Sequence, residues 1–162
     1  MTAQRKERPA HRAPAAIELR LWVRLLRTVR PIEVELRRRL EREFGVTLPK
    51  FDVMAALARK PSGMTMTEVS RFLMVSNGNV TGLVDRLVAD GLVVRVANAQ
   101  DRRATTALLT EKGLRRFVAM AEAHARWLEE MLAGFGSERS EALIGLLDEL
   151  REATRTGGGG PA

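Results

Sequence analysis

The chain has 162 residues and no cysteine. That length suits one domain with extensions rather than two catalytic domains, and the missing thiols exclude disulfides, thiolate zinc sites, a Cys nucleophile and thiol-based oxidant sensing. Hydrophobic residues at 45% and charged residues at 29% are enough to build a core, and 27 Lys and Arg against 20 Asp and Glu give a net charge of +7 that favours a polyanionic partner, nucleic acid foremost.

Residues 1–14 are proline- and arginine-containing with little to bury, and residues 155–162 run into a glycine tail, so both ends are expected to be disordered. From Ala15 to Arg42, Ile17, Leu21, Leu25, Val29, Leu36 and Leu40 recur at helical spacing, with a kink or break expected at Pro31. A shorter helix is predicted over Phe51–Arg59, between Pro49 and Pro61. Thr65 with Glu68 three residues on has the spacing of a capping box and predicts a short helix starting there. Ser76 can cap the next helix, whose apolar stripe is Val80, Leu83, Val84 and Leu87 and whose end is Gly91. LVVRVA and ATTALLT, flanking NAQDRR, read as a β-hairpin with a charged tip. Leu114, Phe117, Val118, Ala121, Ala125, Leu128 and Leu132 predict a long helix broken at Gly134 and Gly136, and Ser137 starts a last one carrying Leu143, Leu147 and Leu150.

Two short helices across a turn followed by a hairpin is the order of a winged helix-turn-helix. On the second short helix the face away from the apolar stripe holds Ser76, Asn77, Gly78, Asn79, Thr81 and Gly82. Small side chains let a helix approach the floor of the major groove, Asn pairs bidentately with an adenine edge, and the helix N-terminus offers amide donors to phosphate. The competing reading is a run of ordinary capping residues on a surface helix. At the hairpin tip, Asp101, Arg102 and Arg103 suit a minor-groove contact, against a plain solvated turn.

The stretch from Thr65 to Gly113 resembles the winged-helix core of the MarR (multiple antibiotic resistance regulator) family, with Asp101–Arg103 as its DxR wing tip and Leu109–Gly113 as LTxxG. The resemblance implies a mainly α protein with a small β wing, residues 15–154 forming one domain in which 15–45 and 111–154 are dimerisation helices and 50–110 the winged helix-turn-helix. It implies a homodimer on a double-stranded DNA operator, with Asn77, Asn79 and Thr81 facing the major groove, Arg103 the minor groove, and Asp101 bracing the wing through Arg86 or Arg95. Thr65, Thr67, Ser76, Gly78, Arg86 and Arg102 complete the expected DNA interface. Met74 stands where many members carry glycine in the turn. The run VSNGNVTGLVDRLV also looks like members that govern aromatic-acid catabolism, some through a coenzyme A thioester.

The segment 1–43 carries twelve basic residues against six acidic, whereas 60–103 is only slightly basic, so the reader depends on placed contacts and two copies rather than on bulk charge. Arg20, Arg24 and Arg27 share a face of the first helix; a solvated face is their bland reading and neutralisation of an anionic effector the sharper one. Trp22 is read as packing or as an aromatic wall for that effector, an aromatic acid or its coenzyme A thioester. With histidine only at positions 11 and 124 and no catalytic motif, no enzyme activity, metal or cofactor is expected. No apolar run is long enough for a membrane helix and no secretory signal is seen, which reads as cytoplasmic with no membrane partner.

Overall fold

The computed structural model describes residues 17–97 and 105–157. The order is α1 (Ile17–Phe44), α2 (Leu48–Arg59), β1 (Met64–Thr65), α3 (Met66–Leu73), α4 (Asn77–Ala89), β2 (Val93–Ala97), β3 (Thr105–Leu109), α5 (Glu111–Leu132) and α6 (Ser137–Gly157). α1 is one helix through Pro31, so the alternative of two helices in series is not found. Pro31 is exposed, and it leaves unmade the one helical hydrogen bond that it cannot donate. α6 continues to Gly157, so residues 155–157 are helical rather than part of a disordered tail, while residues 1–14 and 158–162 lie outside the described residues.

The core lies where α2 meets its neighbours. Val53, Met54, Ala56 and Leu57 of α2 are buried against Val69 of α3, Val80, Val84 and Leu87 of α4, Ala107 of β3, Met120 of α5 and Leu40 of α1. Phe51 stacks on His124 at 5.0 Å between ring centroids and meets Phe117 at 5.7 Å. Burial lowers the pKa of His124 from its ordinary 6.5, which marks it as a neutral packing residue. The sheet order is β1-β3-β2, all antiparallel, with Met64 opposite Ala107 and Val93 opposite Leu109. β1 escapes sequence reading because two residues carry no periodicity.

α5 carries two apolar faces. Gly113, Met120, Ala123 and Trp127 close the core, and Trp127 lies 6.2 Å from the Phe44 ring and beneath the Arg39 guanidinium at 5.9 Å. Of the stripe expected from sequence, Leu114, Val118, Ala125 and Leu132 lie on the other face and are exposed. Among the described residues none of α6 is fully buried, and Leu143, Ile144, Leu146 and Leu147 are exposed along it. The N-terminal half of α1 is likewise uncovered, with Leu21, Trp22, Leu26 and Val29 exposed.

Candidate nucleic-acid interface

α3 starts as the spacing predicts. Glu68 N–H donates to Thr65 Oγ1 at 3.2 Å, and the Thr65 N–H donates to Glu68 Oε2 at 2.7 Å, a complete capping box. Lys60 Nζ reaches Glu68 Oε1 at 2.7 Å; that ion pair, with the two Thr65 donors, holds the Glu68 carboxyl at about 2 instead of 4.5. The Thr65 hydroxyl is therefore engaged within the helix start, while Thr67 on the same turn is exposed.

The turn into α4 is built on Met74 in the left-handed region, φ 55° and ψ 38°, a conformation usually left to glycine. Val75 N–H donates to the Ser70 carbonyl at 3.1 Å and Ser70 Oγ donates to the Val75 carbonyl at 2.6 Å, so the strained residue is fixed from both sides. Ser76 occupies the N-cap in extended backbone, as expected, but its hydroxyl makes no capping bond. With no acidic residue in the first turn either, the N-terminal amides of α4 meet no side-chain acceptor of their own.

Along α4 the exposed surface divides into three lines. Asn77 and Thr81 form one edge, where the Thr81 hydroxyl donates to the Asn77 carbonyl at 2.9 Å. Asn79 and Arg86 form the other edge, in a groove of about 490 Å³ with Pro49, Val75 and Leu83. Asn77 and Asn79 are two residues, or about 200°, apart on the helix and do not share a face. Between the edges lie Gly78 and Gly82, where an added Cβ would meet nothing within 4 Å.

The wing stem is tied to this helix. Arg95 Nη2 on β2 pairs with Asp85 Oδ1 of α4 at 2.9 Å, so the carboxylate on Arg95 among the described residues is Asp85; the expected brace Asp101, with Arg102 and Arg103, lies outside them. Sequence reading missed Asp85 because its partner is ten residues away on another element. At the wing base, Thr110 Oγ1 accepts from Gly113 N–H at 2.9 Å and donates to the Gly91 carbonyl at 2.9 Å, joining the start of α5 to the end of α4. A Cβ at Gly113 would overlap the Leu92 carbonyl, which gives the glycine of LTxxG its reason.

The residues expected to meet an effector do not converge within one protomer. Arg20, Arg24 and Arg27 line a shallow groove of about 510 Å³ with Leu19, Val23 and Thr28. Trp22, two residues from Arg24, sits on the opposite side of α1 in line with Leu25 and Leu36, and is 57% exposed. Among the described residues no group of three His, Cys, Asp or Glu is placed to hold a metal, and no helix is long and apolar enough to cross a membrane.

A short antiparallel sheet beside a helix-turn-helix, with a small-residue strip on the second helix, defines a winged-helix DNA-binding protein. A sequence profile of the MarR family matches residues 44–104. The chain is 30% identical over 160 residues to the transcriptional activatory protein BadR of Rhodopseudomonas palustris, covering 93% of this chain and 91% of the relative. It is similar to the crystal structure of a MarR family regulator from Silicibacter pomeroyi, with 42% identity, a TM-score of 0.67 and coverage of 83% of this chain and 95% of the other. An organohalide-sensing regulator crystallised with 2,4-dichlorophenol shares the fold at a TM-score of 0.76 and 23% identity, over 94% of this chain and 90% of the other. The chain belongs to the MarR family: it is a DNA-binding transcriptional regulator and not an enzyme.

Proposed function

We propose that the protein is a homodimeric, sequence-specific repressor, acting in the cytoplasm, that leaves its operator when a small anionic or aromatic effector binds. The observation that carries the base-reading part is the α4 surface, where Gly78 and Gly82 leave an open strip between the Asn77 and Asn79 edges and the N-terminal amides have no side-chain acceptor. A backbone that can come close, flanked by amides that tell adenine from the other bases, reads sequence; the wing arginines Arg102 and Arg103 add minor-groove contacts. Thr67, Ser76 and Arg86 are assigned to phosphates. The dimer is supported by the uncovered apolar faces of α1, α5 and α6, which a second copy would close.

The effector is assigned to aromatic carboxylic acids or their coenzyme A thioesters, in line with the phenol carried by the organohalide-sensing regulator. BadR is named an activatory protein, so the direction of control is tested with the operator in hand. The competing function is an effector-independent architectural DNA binder. Base reading is tested by selecting DNA from a random pool with the intact protein. Asn79→Ala is expected to lose about 1–3 kcal/mol on the selected site and to relax its preference, while Arg103→Ala lowers affinity evenly across sequences and reduces the salt dependence by about one unit. Unchanged affinity in both variants would remove the assigned helix and wing contacts.

A further inference from the structure

Six methionines fall within the described residues, and five are sheltered: Met54, Met64 and Met120 are buried, Met66 and Met131 half-buried. Met74 is 91% exposed. It is also the sole non-glycine with positive φ among the described residues, on a turn fixed by the Ser70–Val75 bonds. A long apolar side chain gains nothing from water and a left-handed backbone is cheaper for glycine, so neither packing nor turn geometry accounts for methionine here. What the position does provide is a thioether held open to solvent, two residues before the N-cap of the reading helix, in a chain without thiols.

We propose that Met74 is an oxidation site through which two-electron oxidants of the hypochlorous acid class weaken DNA binding. The sulfur lone pair attacks the electrophilic chlorine and hydroxide leaves. Water then adds to the chlorosulfonium sulfur, and loss of chloride and protons gives the sulfoxide. Sulfur is oxidised by two electrons, chlorine is reduced to chloride, and the net change is thioether plus hypochlorous acid to sulfoxide plus hydrochloric acid. The product places a polar acceptor oxygen beside a helix end that receives phosphate, where it competes for the same donors and repels the phosphate oxygens. The core methionines are shielded, so the fold survives the dose that converts Met74. This inference rests on α4 as the DNA-reading helix.

The full-length protein, treated with one to two equivalents of hypochlorite, is examined by peptide mass mapping and by fluorescence anisotropy on DNA that the untreated protein has selected. Met74 is expected to take up oxygen first and affinity to fall at least about fivefold, with recovery on treatment with the two methionine sulfoxide reductases and a thiol. Met74→Leu and Met74→Gly, the second of which also relieves the turn, are expected to bind before treatment and to keep their affinity after it. Oxidation of Met74 without loss of affinity, reaction elsewhere first, or equal loss in the Met74 variants would overturn the proposal. If the untreated protein selects no DNA, it is the α4 reading that fails.

Discussion

At Gly82 two free energies point in opposite directions. In a helix interior glycine costs about 0.5–1 kcal/mol relative to alanine, and an alanine Cβ would meet nothing within 4 Å in the free protein. Gly82→Ala is therefore expected to raise stability by about that amount in urea unfolding. If DNA comes close to this strip, the same methyl overfills the contact and costs about 1–3 kcal/mol of binding. Higher stability with undiminished affinity would show that the glycines serve no close approach. Gly113 is the contrasting case, because its missing Cβ is required by the Leu92 carbonyl inside the protomer rather than by a partner outside it. The two glycine types are indistinguishable as letters, which is why residue-level sequence reading ranks candidates without sorting them.

At the scale of elements, the α3 start offers a test by pH. Glu68 is held at about 2 by the Lys60 ion pair and the Thr65 hydrogen bonds, below its ordinary 4.5. A carboxyl whose folded pKa is depressed stabilises the fold fully above its unfolded value and loses that contribution as pH falls from about 4.5 towards 2. Glu68→Gln is thus expected to be less stable than the parent at pH 7, with the gap narrowing through that window; a gap constant from pH 7 to pH 3 would mean that the charge contributes nothing. The capping box, the α4 stripe and the hairpin were all legible from sequence because each rests on local spacing, within one element or between two consecutive strands. The α5 stripe was legible only in part. Leu114, Val118, Ala125 and Leu132 repeat as regularly as Gly113, Met120, Ala123 and Trp127, and periodicity cannot say which face the protomer closes. Of the candidate site, the α4 residues were selected by type alone, whereas the opposite placement of Asn77 and Asn79 and the Asp85–Arg95 tie follow from helix phase and from contacts between elements.

The whole molecule leaves too much apolar surface for one copy. Among the described residues none of α6 is fully buried, and the first half of α1 exposes Trp22, Leu26 and Val29. A second copy covering those faces would stabilise the chain by mass action, so sedimentation is expected to give a dimer, and truncation after Gly136 a monomer or aggregate that has lost cooperative DNA binding. In such a dimer two reading helices about 34 Å apart would match one duplex turn, and each would need few base contacts. A stable monomer that binds DNA after truncation would contradict this arrangement.

Release by an effector requires that the ligand prefer the dimer form that cannot bind DNA; tight binding alone shifts nothing. The structure supplies a connection along which such a preference can travel, because Thr110 joins the start of α5 to the Gly91 carbonyl at the end of the reading helix. A ligand that moved the start of α5 would act on α4 through this hydrogen-bonded junction. Trp22 lies in line with Leu25 and Leu36, on the side of α1 that becomes buried only in its C-terminal half, whereas Arg20, Arg24 and Arg27 lie on the opposite, outward side. We place the aromatic part of the effector on the Trp22 side, where apolar surface is to be covered. An aromatic carboxylate or its coenzyme A thioester is expected to lower operator affinity by about 1–3 kcal/mol of coupling. Trp22→Ala is expected to abolish that response while sedimentation still shows a dimer and the operator is still bound. Loss of the response in Arg24→Ala but not in Trp22→Ala would move the site to the outward groove. A panel of such compounds that alters neither the melting temperature nor DNA binding would leave the architectural function as the better account.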